Sequence, residues 1–125
     1  MEKKGIIVLA HGSRAERADN VLSSLVDKFS SEVDYEYVER AAMELTEPTL
    51  ADKVEDLAGR GVEKIIVLPL FLFPGIHVQE DIPAMMEKLE ENYPRIEFKL
   101  GEIVGDDDKL VDILKDRLRE EEEDK

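Results

Sequence analysis

Hydrophobic positions along the chain fall into two kinds of pattern. Gly5-Ile-Ile-Val-Leu-Ala10 and Ile65-Ile-Val-Leu-Pro-Leu-Phe-Leu72 are unbroken β-prone runs, as expected of strands covered on both faces. Tyr35 to Glu39 and Ile96-Glu-Phe-Lys-Leu100 instead alternate or carry charge, which places them at the edges of a sheet with one face partly wet. Between these runs apolar residues recur at helical spacing: Val21, Leu22, Leu25, Val26 and Phe29, then Leu50, Val54, Leu57 and Ala58, then Ile82, Met85, Met86 and Leu89. A last stripe of Leu110, Val111, Leu114 and Leu118 follows Asp106-Asp107-Asp108, acidic residues suited to the positive end of a helix.

Strand and helix thus alternate four times, the pattern of parallel βαβ units with right-handed crossovers. The expected architecture is a single α/β domain over residues 1–125, a three-layer sandwich around a four-stranded parallel sheet. With the two apolar runs inside, the simplest strand order is 2-1-3-4, and the topological switch lies between strands 1 and 3. Gly59 and Gly61 read as stops for the second helix. The tail from Arg119 to Lys125 sets carboxylates at a helix C-terminus, against the macrodipole, and is expected to fray.

Composition narrows the function classes. A chain of 125 residues accommodates one ordinary domain. Its net charge of −14, with no run rich in Lys or Arg, disfavours nucleic acid and anionic membranes as partners. The longest apolar stretch, Ile65 to Pro74, is interrupted by proline and too short to span a bilayer. Met1–Lys4 leads into an apolar run without the length or cleavage site of a signal peptide, so a cytoplasmic location is expected. The absence of cysteine removes disulfides, thiolate nucleophiles and thiolate metal sites, leaving carboxylates and two histidines as strong ligands.

In an open parallel sheet, ligands bind beyond the carboxyl ends of the strands. His11 follows strand 1 directly, Glu44 follows strand 2 by a few residues, and His77 follows strand 3 through Phe73-Pro-Gly75, so all three are expected on one rim. Two imidazoles and a carboxylate can hold a divalent transition metal, and neutral imidazole can also accept a proton. His11, followed by flexible Gly12 and a Ser13 expected to cap the first helix, is well placed to meet a ligand, and the apolar segment from Leu72 to Val78 suits a pocket wall or subunit interface. Arg14 and Arg17 at the start of the first helix can hold ligand carboxylates. No partner base for Ser13 is identifiable, which disfavours a serine hydrolase, and no phosphate-cradling Gly-x4-Gly-Lys motif occurs.

Three segments carry a resemblance: Leu9-Ala-His-Gly-Ser-Arg14, Ala42-Met-Glu-Leu-Thr-Glu-Pro-Thr49, and Leu68-Pro-Leu-Phe-Leu-Phe-Pro-Gly-Ile-His-Val78 with Asp81-Ile-Pro83. In that order, and over nearly the whole chain, the sequence resembles the short archaeal form of the CbiX sirohydrochlorin cobaltochelatases. The resemblance implies a chelatase-like half domain and a class II chelatase, which inserts a divalent ion into a tetrapyrrole without a nucleotide. It implies His11 and His77 as catalytic residues, and His11, His77 and Glu44 as metal ligands. The expected metal substrate is Co²⁺, with Ni²⁺ and Fe²⁺ as alternatives. In longer relatives two such domains are fused, so a homodimer enclosing a tetrapyrrole-sized cleft is expected. Gly12, Ser13, Arg14, Arg40, Phe73, Gly75 and Val78 are the candidate substrate contacts, with Arg40 placed just past strand 2.

Two rival readings stand beside this one. A histidine phosphatase also carries a histidine after strand 1, but Ala10 stands where its arginine belongs. A metal-carrying module would use the same histidines without accelerating insertion; a receiver-like module lacks its aspartate at the end of strand 3.

Overall fold

The computed structural model describes residues 2–123, and at His77 and Val78 the backbone only. Strand β1 (Lys4–Ala10) leads to helix α1 (Glu16–Ser30), β2 (Tyr37–Ala42) to α2 (Leu50–Gly59), β3 (Lys64–Pro69) to α3 (Ile82–Asn92), and β4 (Glu97–Leu100) to α4 (Asp108–Glu123). A π-helical turn, His77–Asp81, precedes α3. The strands form one parallel sheet in the order β2-β1-β3-β4. This is the expected α/β arrangement, with both continuous apolar runs in the centre.

Alternation along β1 sends Ile7 and Leu9 to one face and Ile6 and Val8 to the other, and all four are buried. The first face carries the main core: Ile7, Leu9, Ile65 and Val67 of the sheet pack with Leu50, Val54 and Leu57 of α2 and Ile82, Met86 and Leu89 of α3. Helix α1 packs against β2, and Val26 is its one buried residue.

Local signals at both ends of α2 explain why it stands where it does. Thr49 accepts from the Asp52 backbone N–H at 3.2 Å, and the Asp52 carboxylate accepts from the Thr49 N–H at 3.1 Å, a reciprocal capping box. At the other end Gly61 takes φ +83°, Val62 N–H donates to Leu57 C=O, and Gly61 N–H donates to Ala58 C=O. These are the two bonds of a Schellman stop, sealed by burial of Leu57 and Val62.

Three boundaries differ from the sequence reading. β2 begins at Tyr37 and runs through Ala42, so Arg40 lies within the strand, paired with Val8, and not past its end. Its charged centre is compensated: Glu39 meets Lys53 at 2.5 Å and Arg60 at 3.5 Å, and Arg40 meets Asp19. β3 stops at Pro69, and Leu70 to Leu72 belong to the following loop. Helix α4 continues through Arg119 to Glu123 where fraying is expected; i,i+3 pairs Arg117–Glu120 and Arg119–Asp116 offset part of the acidic repulsion. Asp124 and Lys125 lie outside the described residues.

The apolar stripe of α4 differs most. Among the described residues this helix makes no extended contact with the sheet, none of its residues is buried, and Val111, Leu114 and Leu118 are exposed. The neighbouring face of β3 is correspondingly only half-covered at Ile66 and Leu68. On α1, Val21 and Leu25 are exposed as well.

Leu57 closes the main core and Thr49 only caps a helix, so their truncations separate in size. Urea unfolding is expected to show Leu57→Ala losing about 3 kcal/mol and Thr49→Ala about 1 kcal/mol. Equal losses would contradict this assignment of the core.

Candidate functional site

Because β1, β2 and β3 run parallel, the chain leaves all three on the same edge of the sheet, after Ala10, Ala42 and Pro69. Backbone hydrogen bonds prolong the sheet past these ends. Met43 N–H donates to Ala10 C=O at 2.9 Å, Glu44 N–H to His11 C=O at 3.1 Å, and Leu70 N–H to Leu9 C=O at 2.7 Å. His11 and Glu44 are therefore placed by ladder-like pairing and not by a free loop.

Gly12 makes this pairing sterically possible. Its φ is +106°, and a Cβ built on it would lie 1.9 Å from the Glu44 carbonyl oxygen. No side chain fits in that space, and glycine is required there by the protein's own backbone.

The two side chains then meet. His11 Nε2 lies 3.1 Å from Glu44 Oε1, with side-chain exposures of 43% and 52%, so the pair is joined yet open to solvent. As a hydrogen bond, the contact has imidazole N–H donating to carboxylate. It is also compatible with a shared cation. With metal–nitrogen and metal–oxygen bonds of about 2.0–2.1 Å, two ligand atoms sit about 2.9 Å apart at a right angle and about 3.4 Å apart at a tetrahedral angle. The spacing seen at His11 and Glu44 lies between these two values.

Among the described residues no group of three His, Cys, Asp or Glu side chains is gathered for a metal. The third expected ligand, His77, opens the π-helical turn on the segment after β3, and its side chain lies outside the described residues, as does that of Val78. The turn is tethered to the loop before it: Gln79 N–H donates to Gly75 C=O at 2.9 Å, and Gln79 Nε2 to Pro74 C=O at 3.2 Å. Gly75 thereby acts as a backbone acceptor, while Phe73 stands 80% exposed on the same loop.

The remaining candidates divide. Ser13 Oγ accepts from Ala15 N–H at 3.1 Å, bracing the loop ahead of α1 without capping it. Arg14 is exposed in that loop, two residues before the helix starts, and Arg17 is exposed in the first turn. Arg40 lies within β2, and its guanidinium is paired with Asp19 of α1. A small cavity of about 230 Å³ lies beneath the His11 loop and is lined by Gly12, Ser13, Ala42, Thr46 and Leu70 among others. A larger groove of about 1110 Å³ runs from Leu72 and Phe73 to Leu110 and Leu114.

Sequence reasoning missed two features here. The Asp19–Arg40 pair joins α1 to β2 across 21 positions of sequence, a separation that leaves no local signal. Leu45, next to Glu44, has φ +75° and is 52% exposed, and nothing about a leucine announces a left-handed backbone.

Comparison with known proteins gives the family. The chloroplastic sirohydrochlorin ferrochelatase of Arabidopsis thaliana is 33% identical over 115 residues, covering 92% of this chain and 51% of that protein. The chain thus spans about half the length of that relative. A sirohydrochlorin cobaltochelatase of Methanothermobacter thermautotrophicus is 32% identical over 132 residues, covering 94% of this chain and 92% of the relative. The crystal structure of the sirohydrochlorin chelatase SirB from Bacillus subtilis subspecies spizizenii, in complex with cobalt, superimposes with a TM-score of 0.87 at 28% identity, over 94% of this chain and 50% of that one. The CbiX family model matches residues 5–121, which include His11, Glu44 and His77 together with every strand but the first residue of β1, and this chain belongs to the CbiX family.

Proposed function

We propose that the protein inserts a divalent metal ion, Co²⁺, into sirohydrochlorin without a nucleotide. The observation that carries this reading is the open His11–Glu44 pair at 3.1 Å on the carboxyl edge of the sheet. It is supported by relatives named for cobalt and for iron insertion into the same macrocycle. His11 and Glu44, with His77 as third ligand, hold the entering ion. Imidazole binds it only when neutral, so binding weakens on acidification. As metal–nitrogen bonds form, the ion leaves its protein ligands and two pyrrole N–H protons leave the macrocycle, one to each of two groups among His11, His77 and Glu44 that the ion has vacated.

Substrate recognition has to overcome charge. Sirohydrochlorin carries eight carboxylates, and the protein has a net charge of −14. Short-range cations must therefore act within about a Debye length, roughly 8 Å at physiological ionic strength. Exposed Arg14 and Arg17 are placed for that, whereas Arg40 is already neutralised by Asp19. Phe73 offers an apolar surface to the flat ring from the loop after β3.

The assembly we propose is a homodimer. A macrocycle is wide for the edge of one domain, and relatives twice as long match this chain over about half their length. An amphipathic helix of 16 residues with no buried position is marginal by itself in water, so the exposed stripe of α4 favours a second copy as its cover. Sedimentation is expected to give twice the chain mass, and Leu114→Glu to shift it toward monomer with loss of insertion activity. A fully active monomeric wild type would contradict the dimer.

Insertion is followed directly by the absorbance of sirohydrochlorin with Co²⁺, Ni²⁺ and Fe²⁺ in turn. Co²⁺ is expected to react fastest; a preference for Fe²⁺ would transfer the reading to the ferrochelatase branch, and no reaction with any ion would refute it. His11→Ala is expected to reduce the rate at least about 100-fold while leaving the unfolding midpoint near wild type. Glu44→Gln is expected to cost about tenfold. A His11→Ala protein of undiminished rate would remove the pair from the chemistry.

A further inference from the structure

Leu45 combines a left-handed backbone with an exposed side chain. Its φ of +75° is one that glycine or asparagine adopts readily and leucine resists. The surrounding chain leaves it little choice. Ala42 N–H donates to Pro48 C=O and closes the loop at its base, Met43 and Glu44 are bonded to Ala10 and His11, and Thr49 is locked in the capping box of α2. Conformational strain at a leucine is kept when something else is gained from the side chain. Packing is not that gain, because Leu45 is 52% exposed and stands outside the hydrophobic cluster. It is, however, adjacent in sequence to one half of the His11–Glu44 pair, and Phe73 and Ile76 of the loop after β3 are exposed as well.

We infer that Leu45 is a substrate-contacting residue that seats the apolar face of the macrocycle beside the His11–Glu44 pair. The inference rests on the tetrapyrrole reading proposed above. A flat conjugated ring with carboxylates on its periphery has two chemically distinct parts, and an acidic protein gains from grasping the uncharged one. A leucine beside the metal-binding carboxylate contacts the ring face without adding charge near the ion. Such a contact is made equally in the ground state and the transition state, so it contributes to KM and not to kcat.

The test is Leu45→Asn, a change close in size that suits the left-handed backbone, with Leu45→Met as the conservative control. For Leu45→Asn the KM for sirohydrochlorin is expected to rise about tenfold with kcat within about twofold of wild type. Because strain is relieved, the midpoint of thermal unfolding is expected to stay level or rise by about 2–4 °C. Co²⁺ affinity measured without the macrocycle should not change, and Leu45→Met should recover KM to within about threefold of wild type. An unchanged KM in a folded Leu45→Asn protein, or a fall in its mass to that of a monomer, overturns the inference while leaving the tetrapyrrole reading intact. A wild-type protein that inserts no metal into sirohydrochlorin overturns both.

Discussion

The site depends on one close approach, the Glu44 peptide lying against Gly12 where no β-carbon fits. That contact lets the exits of β1 and β2 continue to pair beyond the sheet, through Met43 to Ala10 and Glu44 to His11. Two flexible loop residues thereby become a fixed imidazole–carboxylate pair at a spacing that suits a shared cation. The buried centre of the sheet supplies the rigidity behind it, since Ile7, Leu9, Ile65 and Val67 are closed to solvent directly beneath the rim.

Much of this arrangement was legible in the residues. Continuous apolar runs marked β1 and β3 as central, and charge in the other two strands marked them as edges, which yields the observed order. His11 and Glu44 were legible as rim residues because parallel strands share one exit edge. Other features depended on distant partners. The Glu39-Arg40 centre of β2 looked like the end of a strand, yet Lys53 and Asp19 compensate it from helices. Leu70 to Leu72 looked like more of β3, but beyond Pro69 Leu70 lines the cavity under the His11 loop, Phe71 packs on the core and Leu72 lines the groove. The stripe on α4 was readable as amphipathic, while its exposure among the described residues was not.

The uncovered faces and the open site form one physical picture. The His11–Glu44 pair stands half in water, apolar side chains are exposed on the loop after β3, and helix α4 carries its apolar stripe outward. In the function and assembly we propose, a flat ligand and a second copy cover these surfaces. The strongly acidic surface then acts against adventitious association and leaves recognition to short-range contacts at the rim.

The central claim is that His11 and Glu44 jointly receive the entering ion. Crystals of the protein soaked in Co²⁺ and measured at the cobalt absorption edge test it most directly. The account predicts an anomalous peak about 2.0–2.2 Å from both His11 Nε2 and Glu44 Oε1. Cobalt bound only at surface carboxylates, with the His11–Glu44 hydrogen bond undisturbed, would contradict it.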